Sequence, residues 1–146
     1  MDTNRFLVFY QSLSRIVKDI KRLEMSFMRE YGLRSAHLGC LLYVGQSEKG
    51  MTVTQLAGAC KTDKALISRV VKELIANGTI TTKSSDKTYN KKYILTERGE
   101  KINADLTSAI SEYMGSARKD ISEDDLMTFY EVLDALEKNI SHIAND

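Results

Sequence analysis

The sequence predicts a mainly α-helical chain with one small β-hairpin, and three observations carry that reading. Apolar residues recur at helical spacing through both ends of the chain. No proline occurs in 146 residues, where average usage would supply roughly seven, so long uninterrupted helices are permitted. Between the ends the period changes once, across two short β-favouring stretches that flank a polar loop rich in lysine.

The first helix carries Phe6, Phe9, Leu13, Ile16, Ile20, Leu23 and Phe27 on one stripe. Asp2, Thr3 or Asn4 can cap its start and Gly32 can end it. Leu7, Val8, Tyr10 and Val17 lie off the stripe and call for a second burial partner near the N-terminal end. Ser35 to Gln46 reads as a buried helix. Thr52-Val53-Thr54-Gln55 has capping-box form and opens a short helix ending near Cys60. Thr62 or Asp63 then caps a helix that runs to Asn77-Gly78. Thr79 to Thr82 and Tyr93 to Leu95 read as strands joined by the polar tip 83–92. A third amphipathic helix carries Ile102, Leu106, Ala109 or Ile110, Tyr113, Ala117 and Ile121. After Ser122-Glu123-Asp124-Asp125, a capping signal whose acids suit a helix N-terminus, Leu126, Phe129, Leu133, Leu136, Ile140 and Ile143 form the last stripe. The terminal stripes admit two readings, a bundle within one chain or a seam between two subunits. Helix, short helix, turn, helix, hairpin is the order of a winged helix-turn-helix, here with long N- and C-terminal helices. The expected organisation is one domain, 1–146, with a reading unit at 33–99 and helical arms at 1–32 and 100–146.

The net charge of +1 conceals an asymmetry. Residues 61–92 hold 8 Lys and Arg against 3 Asp and Glu, whereas residues 93–146 hold 5 against 12. A compact basic block beside an acidic C-terminal segment suggests a local polyanion-binding surface. Cys40 and Cys60 are too few, and too far from any Cys or His cluster, for a disulfide framework or zinc site. The uncharged run from Ala36 to Gln46 is far shorter than the roughly 18 residues a membrane span needs, and the start has no basic region followed by an apolar core. A cytoplasmic, reducing location is expected. With no Gly-rich phosphate loop, metal-spaced ligand cluster or nucleophile motif, the sequence points away from an enzyme and implies no cofactor.

Binding chemistry concentrates on the helix after Asp63. Leu66 or Ile67, Val70 or Val71, and Leu74 can face a core, which leaves Lys64, Ala65, Ser68, Arg69 and Lys72 outward, with Thr62 just before them. A major groove admits one helix, and Arg reads guanine there through two parallel hydrogen bonds. Lys83, Lys87, Lys91 and Lys92 sit on or beside the hairpin tip, where phosphate neutralisation needs them.

These residues carry a resemblance to the multiple antibiotic resistance regulator (MarR) family of bacterial winged-helix transcription factors. The matching segments are Met51 to Ala57, Asp63 to Gly78, and Leu95-Thr96-Glu97-Arg98-Gly99. The resemblance implies a sequence-specific DNA-binding regulator, a repressor by preference, acting as a homodimer on a pseudo-palindromic operator in double-stranded DNA. It implies that Phe6, Phe9, Leu13, Leu126, Phe129, Leu133, Leu136 and Ile140 serve dimerisation, that Arg69 and its neighbours meet the major groove, and that the wing reaches the minor groove. A small hydrophobic or anionic effector would release the DNA, with His37 and Cys40 as candidate pocket residues. Family wings often carry an Asp-Arg pair at the tip; here the nearest match is Asp86-Lys87. Lys lacks the planar fork of Arg, so mainly phosphate contacts are expected from this wing. Two other readings stand beside this one: a winged-helix module that binds proteins, and a regulator switched by thiol oxidation.

Overall fold

A computed structural model describes residues 2–83 and 91–145; Lys87 lies outside them. The described residues form α1 (Thr3–Arg29), α2 (Ser35–Gln46), α3 (Val53–Cys60), α4 (Lys64–Asn77), β1 (Ile80–Thr82), β2 (Tyr93–Leu95), α5 (Glu97–Ala117) and α6 (Glu123–Asn145). This is the mainly α, winged-helix architecture that the sequence predicts. Contacts divide the chain into two compact units, Met1–Ala109 and Ile110–Asp146.

Short polar side chains set the helix starts. The Asp2 carboxylate accepts from the Arg5 amide at 2.8 Å, and Asp63 does the same for Leu66 at 2.8 Å. At α3 the capping box closes reciprocally: the Gln55 amide donates to Thr52 Oγ1 at 3.1 Å and the Thr52 amide to Gln55 Oε1 at 3.0 Å. Helix α4 stops at Gly78, φ +79°, whose amide reaches the carbonyls of Leu74 and Ile75. Lys61 takes the left-handed conformation at φ 51° and makes the turn from α3 into α4 tight.

The core of the first unit gathers around α2, which packs against α1, α3, α4 and β2. Leu38, Leu41 and Val44 of α2 are buried with Met28, Leu56, Ile67, Val70, Val71, Leu74, Ile80, Ile102 and Leu106. Each large apolar side chain so placed contributes about 1.5–3 kcal/mol. On α4 it is Ile67 that turns inward while Leu66 is exposed, and Val70 and Val71 are both buried.

Strands β1 and β2 pair antiparallel with Ile80 opposite Leu95, Thr81 opposite Ile94 and Thr82 opposite Tyr93. Met51 adds a bridge to Tyr93: the Met51 amide donates to the Tyr93 carbonyl at 3.0 Å and the reverse bond is 2.8 Å. Gly50, φ +80°, makes this approach possible, because a Cβ there would stand 2.9 Å from the Tyr93 carbonyl oxygen. Thr96 joins the sheet to α5: its hydroxyl donates to the Gly78 carbonyl at 2.6 Å and accepts from the Gly99 amide at 3.0 Å.

In the second unit, α5 ends at Ala117, so Ile121, placed by the sequence on that helix, lies beyond it and is exposed. Asp120 at φ 64° makes the turn. The Ser122 hydroxyl accepts from the Asp125 amide at 3.1 Å and opens α6. The apolar stripe of α6 buries no residue within the chain, and α1 buries only Met28. Among the described residues no helix is long and apolar enough to cross a membrane.

Candidate nucleic-acid interface

The inward turn of Ile67, Val70, Val71 and Leu74 fixes the opposite face of α4 by geometry. Lys64, Ala65, Arg69 and Lys72 are exposed there, and Ser68 and Thr62 are half-buried. Thr62 is held by its amide, which donates to the Ala57 carbonyl at 3.1 Å. Among the described residues Lys64, Arg69 and Lys72 have no acidic partner. An unpaired guanidinium on an exposed helix face keeps its donor fork for an external acceptor.

Glu73 is the one acid on α4, and it is engaged elsewhere. Its Oε2 lies 2.5 Å from an Arg34 guanidinium nitrogen and 2.5 Å from His37 Nε2. The Arg34 guanidinium, and then His37, hold the Glu73 carboxyl below the usual carboxylate range. The acid thus neutralises charge at the start of α2 and leaves the cations on the outer face of α4 uncompensated.

A cleft of about 320 Å³ opens where α4 meets the start of α3 and the base of the wing. Thr52, Val53, Thr54, Lys64, Ser68, Lys91 and Tyr93 line it. Hydroxyls, two ammonium groups and the N-terminal end of α3 converge there, which is the donor set a phosphate backbone requires. Lys91 and Lys92 are exposed beside the wing base. Lys83 is tied down: its amide donates to the Lys92 carbonyl at 3.0 Å, and its Nζ approaches the Lys49 carbonyl at 3.5 Å. Arg98, in contrast, faces inward to the chain, donating to the carbonyls of Asn77 and Tyr31, each at 3.2 Å. It locks the ends of α1 and α4 to the start of α5.

With this geometry in hand, the comparisons with known proteins fall into one group. The MarR family model matches residues 31–88. The chain resembles the MarR family. A crystal structure of a MarR family transcription regulator superposes with a TM-score of 0.82 at 20% identity, covering 99% of this chain and 95% of that one. A MarR family regulator from Listeria monocytogenes, solved with a 26mer DNA, gives 0.79 at 20% identity over 91% of this chain and 89% of its own. Staphylococcus aureus MarR, solved with salicylate and kanamycin, gives 0.76 at 17% identity over 96% and 95%. A search of curated proteins returned no match. The likeness to solved structures is one of fold.

Two further features of the MarR-like chain concern the residues assigned to an effector pocket. His37 is 4% exposed and turned to Glu73, and Cys40 is 1% exposed. Neither lines the cleft of about 340 Å³ formed by Met25, Arg29, Leu33, Arg34, Ser35 and Ala36. The sequence separation of Cys40 and Cys60 hides their proximity: the two sulfurs lie 3.9 Å apart. Both the Arg34–His37–Glu73 cluster and the thiol pair join residues 20 to 39 positions apart, and no local pattern in the sequence signals either.

Proposed function

We propose that this chain is a MarR family transcription regulator that binds double-stranded DNA as a homodimer. The observation that carries the reading is the outer face of α4, where Lys64, Arg69 and Lys72 are exposed and, among the described residues, without acidic partners while the inner face is packed. Arg69 reads a base edge in the major groove, with Ser68 beside it; Lys64 and Lys72 meet bases or phosphates, and Ala65 and Thr62 complete the contact surface. Lys83, Lys91, Lys92 and, by its place in the sequence, Lys87 neutralise phosphates along the wing. The reading unit is residues 33–99, and 1–32 and 100–146 are the dimerisation arms.

The homodimer rests on the apolar stripes. Phe6 is 53% exposed and Phe129 54%, with Leu13, Leu133 and Ile140 also exposed and Phe9, Leu126 and Leu136 half-buried. Apolar surface of that extent on two long helices needs a partner, and a second copy supplies matching stripes. The regulator is then a cytoplasmic repressor with no catalytic role. A small hydrophobic or anionic effector suits the cleft beside Arg29 and Arg34, whose lining pairs cations with Met25 and Leu33. Release requires that the effector prefer one spacing of the two reading heads over the other; equal affinity would shift nothing.

The test is binding of the purified chain to the DNA upstream of its own gene. A discrete complex that unrelated DNA competes for poorly supports the reading. Equal competition by any sequence, or no complex, refutes it and favours a protein-binding module.

A further inference from the structure

Glu73 and Arg69 stand four residues apart on α4, the spacing at which helical side chains are neighbours, with Cβ atoms about 6 Å apart. A free Glu73 carboxylate has no other charged neighbour at helical spacing. Val70, three residues before it, is buried, and Ala76, three after, carries no charge. Asn77, four after, is engaged: its side-chain nitrogen donates to the Tyr31 carbonyl at 3.1 Å, and its Oδ1 accepts from Arg98 at 3.4 Å. Lys72 adjoins Glu73 in sequence, but successive helical residues do not face each other. Arg69 is the cation on α4 placed to close on Glu73.

That pair is not made. Among the described residues Arg69 has no acidic partner, because the carboxylate is drawn across to α2. Arg34, which caps α2, and His37 in its first turn both meet Glu73 Oε2, each at 2.5 Å. His37 is buried, and its Nδ1 accepts from the Arg34 amide at 2.9 Å, so Nε2 presents its proton to the carboxylate. The Arg34 guanidinium first, and then His37, hold the Glu73 carboxyl below the usual range, so it is ionised at neutral pH and attracts any guanidinium in reach.

We propose that Arg34 and His37 clasp Glu73 so as to keep Arg69 free for a base edge, which makes Arg34 a positioning residue for DNA recognition from a different helix. Without Arg34, the remaining donor to Glu73 from α2 is a neutral imidazole N–H. A charge-assisted bond to Arg69 is roughly twice as strong. Pairing with Glu73 then occupies the donor fork that a guanine edge needs, and sets a carboxylate beside the DNA phosphates. The effect on DNA rests on the regulator reading above; the competition of Arg34 and Arg69 for one carboxylate does not.

The experiment measures affinity of the full-length chain for the DNA upstream of its own gene at about 50 mM salt, where surface pairs are little screened. Melting curves confirm that each variant folds. The Arg34 side chain is 63% exposed, so Arg34→Gln leaves the core intact. This variant should bind about two- to fivefold more weakly, the size of an exposed ion pair, and lose discrimination at the same base pair that Arg69→Ala relaxes. Adding Glu73→Gln to Arg34→Gln restores the affinity of Glu73→Gln alone. In an Arg69→Ala background, Arg34→Gln has no further effect. A scaffold role or a direct phosphate contact for Arg34 gives a loss that survives both second changes, and that result overturns the proposal, as does unchanged affinity in Arg34→Gln. A DNA-free arm follows modification of Arg69 by phenylglyoxal, read as the mass of its peptide. Arg69 should react more slowly in Arg34→Gln than in the wild type and recover its rate when Glu73→Gln is added; equal rates overturn the clasp. If the wild type binds no DNA, the regulator reading fails, while the Arg69 rates still decide the clasp.

Discussion

His37 of α2 meets Glu73 of α4 through Nε2 and Oε2, 2.5 Å apart, and this contact joins the central scaffold helix to the helix bearing the basic face. The Arg34 amide donates to His37 Nδ1 at 2.9 Å, which leaves the neutral ring's proton on Nε2, aimed at the carboxylate. Arg34 closes the cluster on the same oxygen.

The cluster predicts an acid-sensitive fold. Glu73 has its carboxyl held below the usual range by Arg34 and then His37. A depressed folded pKa contributes stability that is present above the unfolded value of about 4.3 and is lost as pH falls through the folded value. Urea midpoints measured down the acid range should therefore fall less steeply with pH in Glu73→Gln than in the wild type. Identical slopes would contradict the role assigned to the carboxylate.

Gly99 predicts a second effect. A Cβ at that position would lie 2.0 Å from the Thr79 carbonyl oxygen, a backbone atom that cannot swing aside. Gly99→Ala should cost about 1–3 kcal/mol or more, as overpacking of a rigid site does, read as a lower denaturant midpoint. An unchanged midpoint would mean that α5 can move off the end of α4 freely.

How much of this was legible in the sequence depends on range. The bounds of α2 and the Thr52–Gln55 box are local signals, a spacing or a side chain three residues from its amide, and the structure has them where the sequence places them. Ile121 fits the helical spacing yet falls outside α5, because a left-handed Asp120 interrupts the helix without any glycine or proline to announce it. The Met51–Tyr93 bridge consists of a single residue pair, too short to leave a period. The basic face was readable because α4 is amphipathic; that Glu73 turns away from it depends on α2, a contact across 36 positions.

The seam reading of the terminal stripes predicts oligomer loss on charge insertion. Leu133 is exposed in the single chain, so Leu133→Glu leaves the chain's own packing intact while placing a carboxylate in the subunit contact. An unpaired charge buried there costs about 1–3 kcal/mol or more, hence at least about a fivefold rise in the dimer dissociation constant. Sedimentation equilibrium should show a dimer for the wild type and a shift toward monomer for the variant. Equal association constants would refute the assignment of this stripe.

Arg69 and Lys91 should fail differently. Arg69→Ala is expected to cost about 1–3 kcal/mol on the specific site and to relax discrimination at one base pair. Lys91→Ala should weaken all sequences alike and lower the salt slope by about 1. Competition binding with a set of single-base variants separates the two; equal and small effects would remove Arg69 from base reading.

The central claim is that the cations of α4 and the wing meet phosphates. The most direct measurement is the affinity for the DNA upstream of its own gene as a function of salt. With roughly 6 to 10 phosphate contacts, affinity should fall about 10³ to 10⁵ fold between about 50 and 200 mM salt. A salt-insensitive affinity, or no binding at the lower concentration, would contradict it.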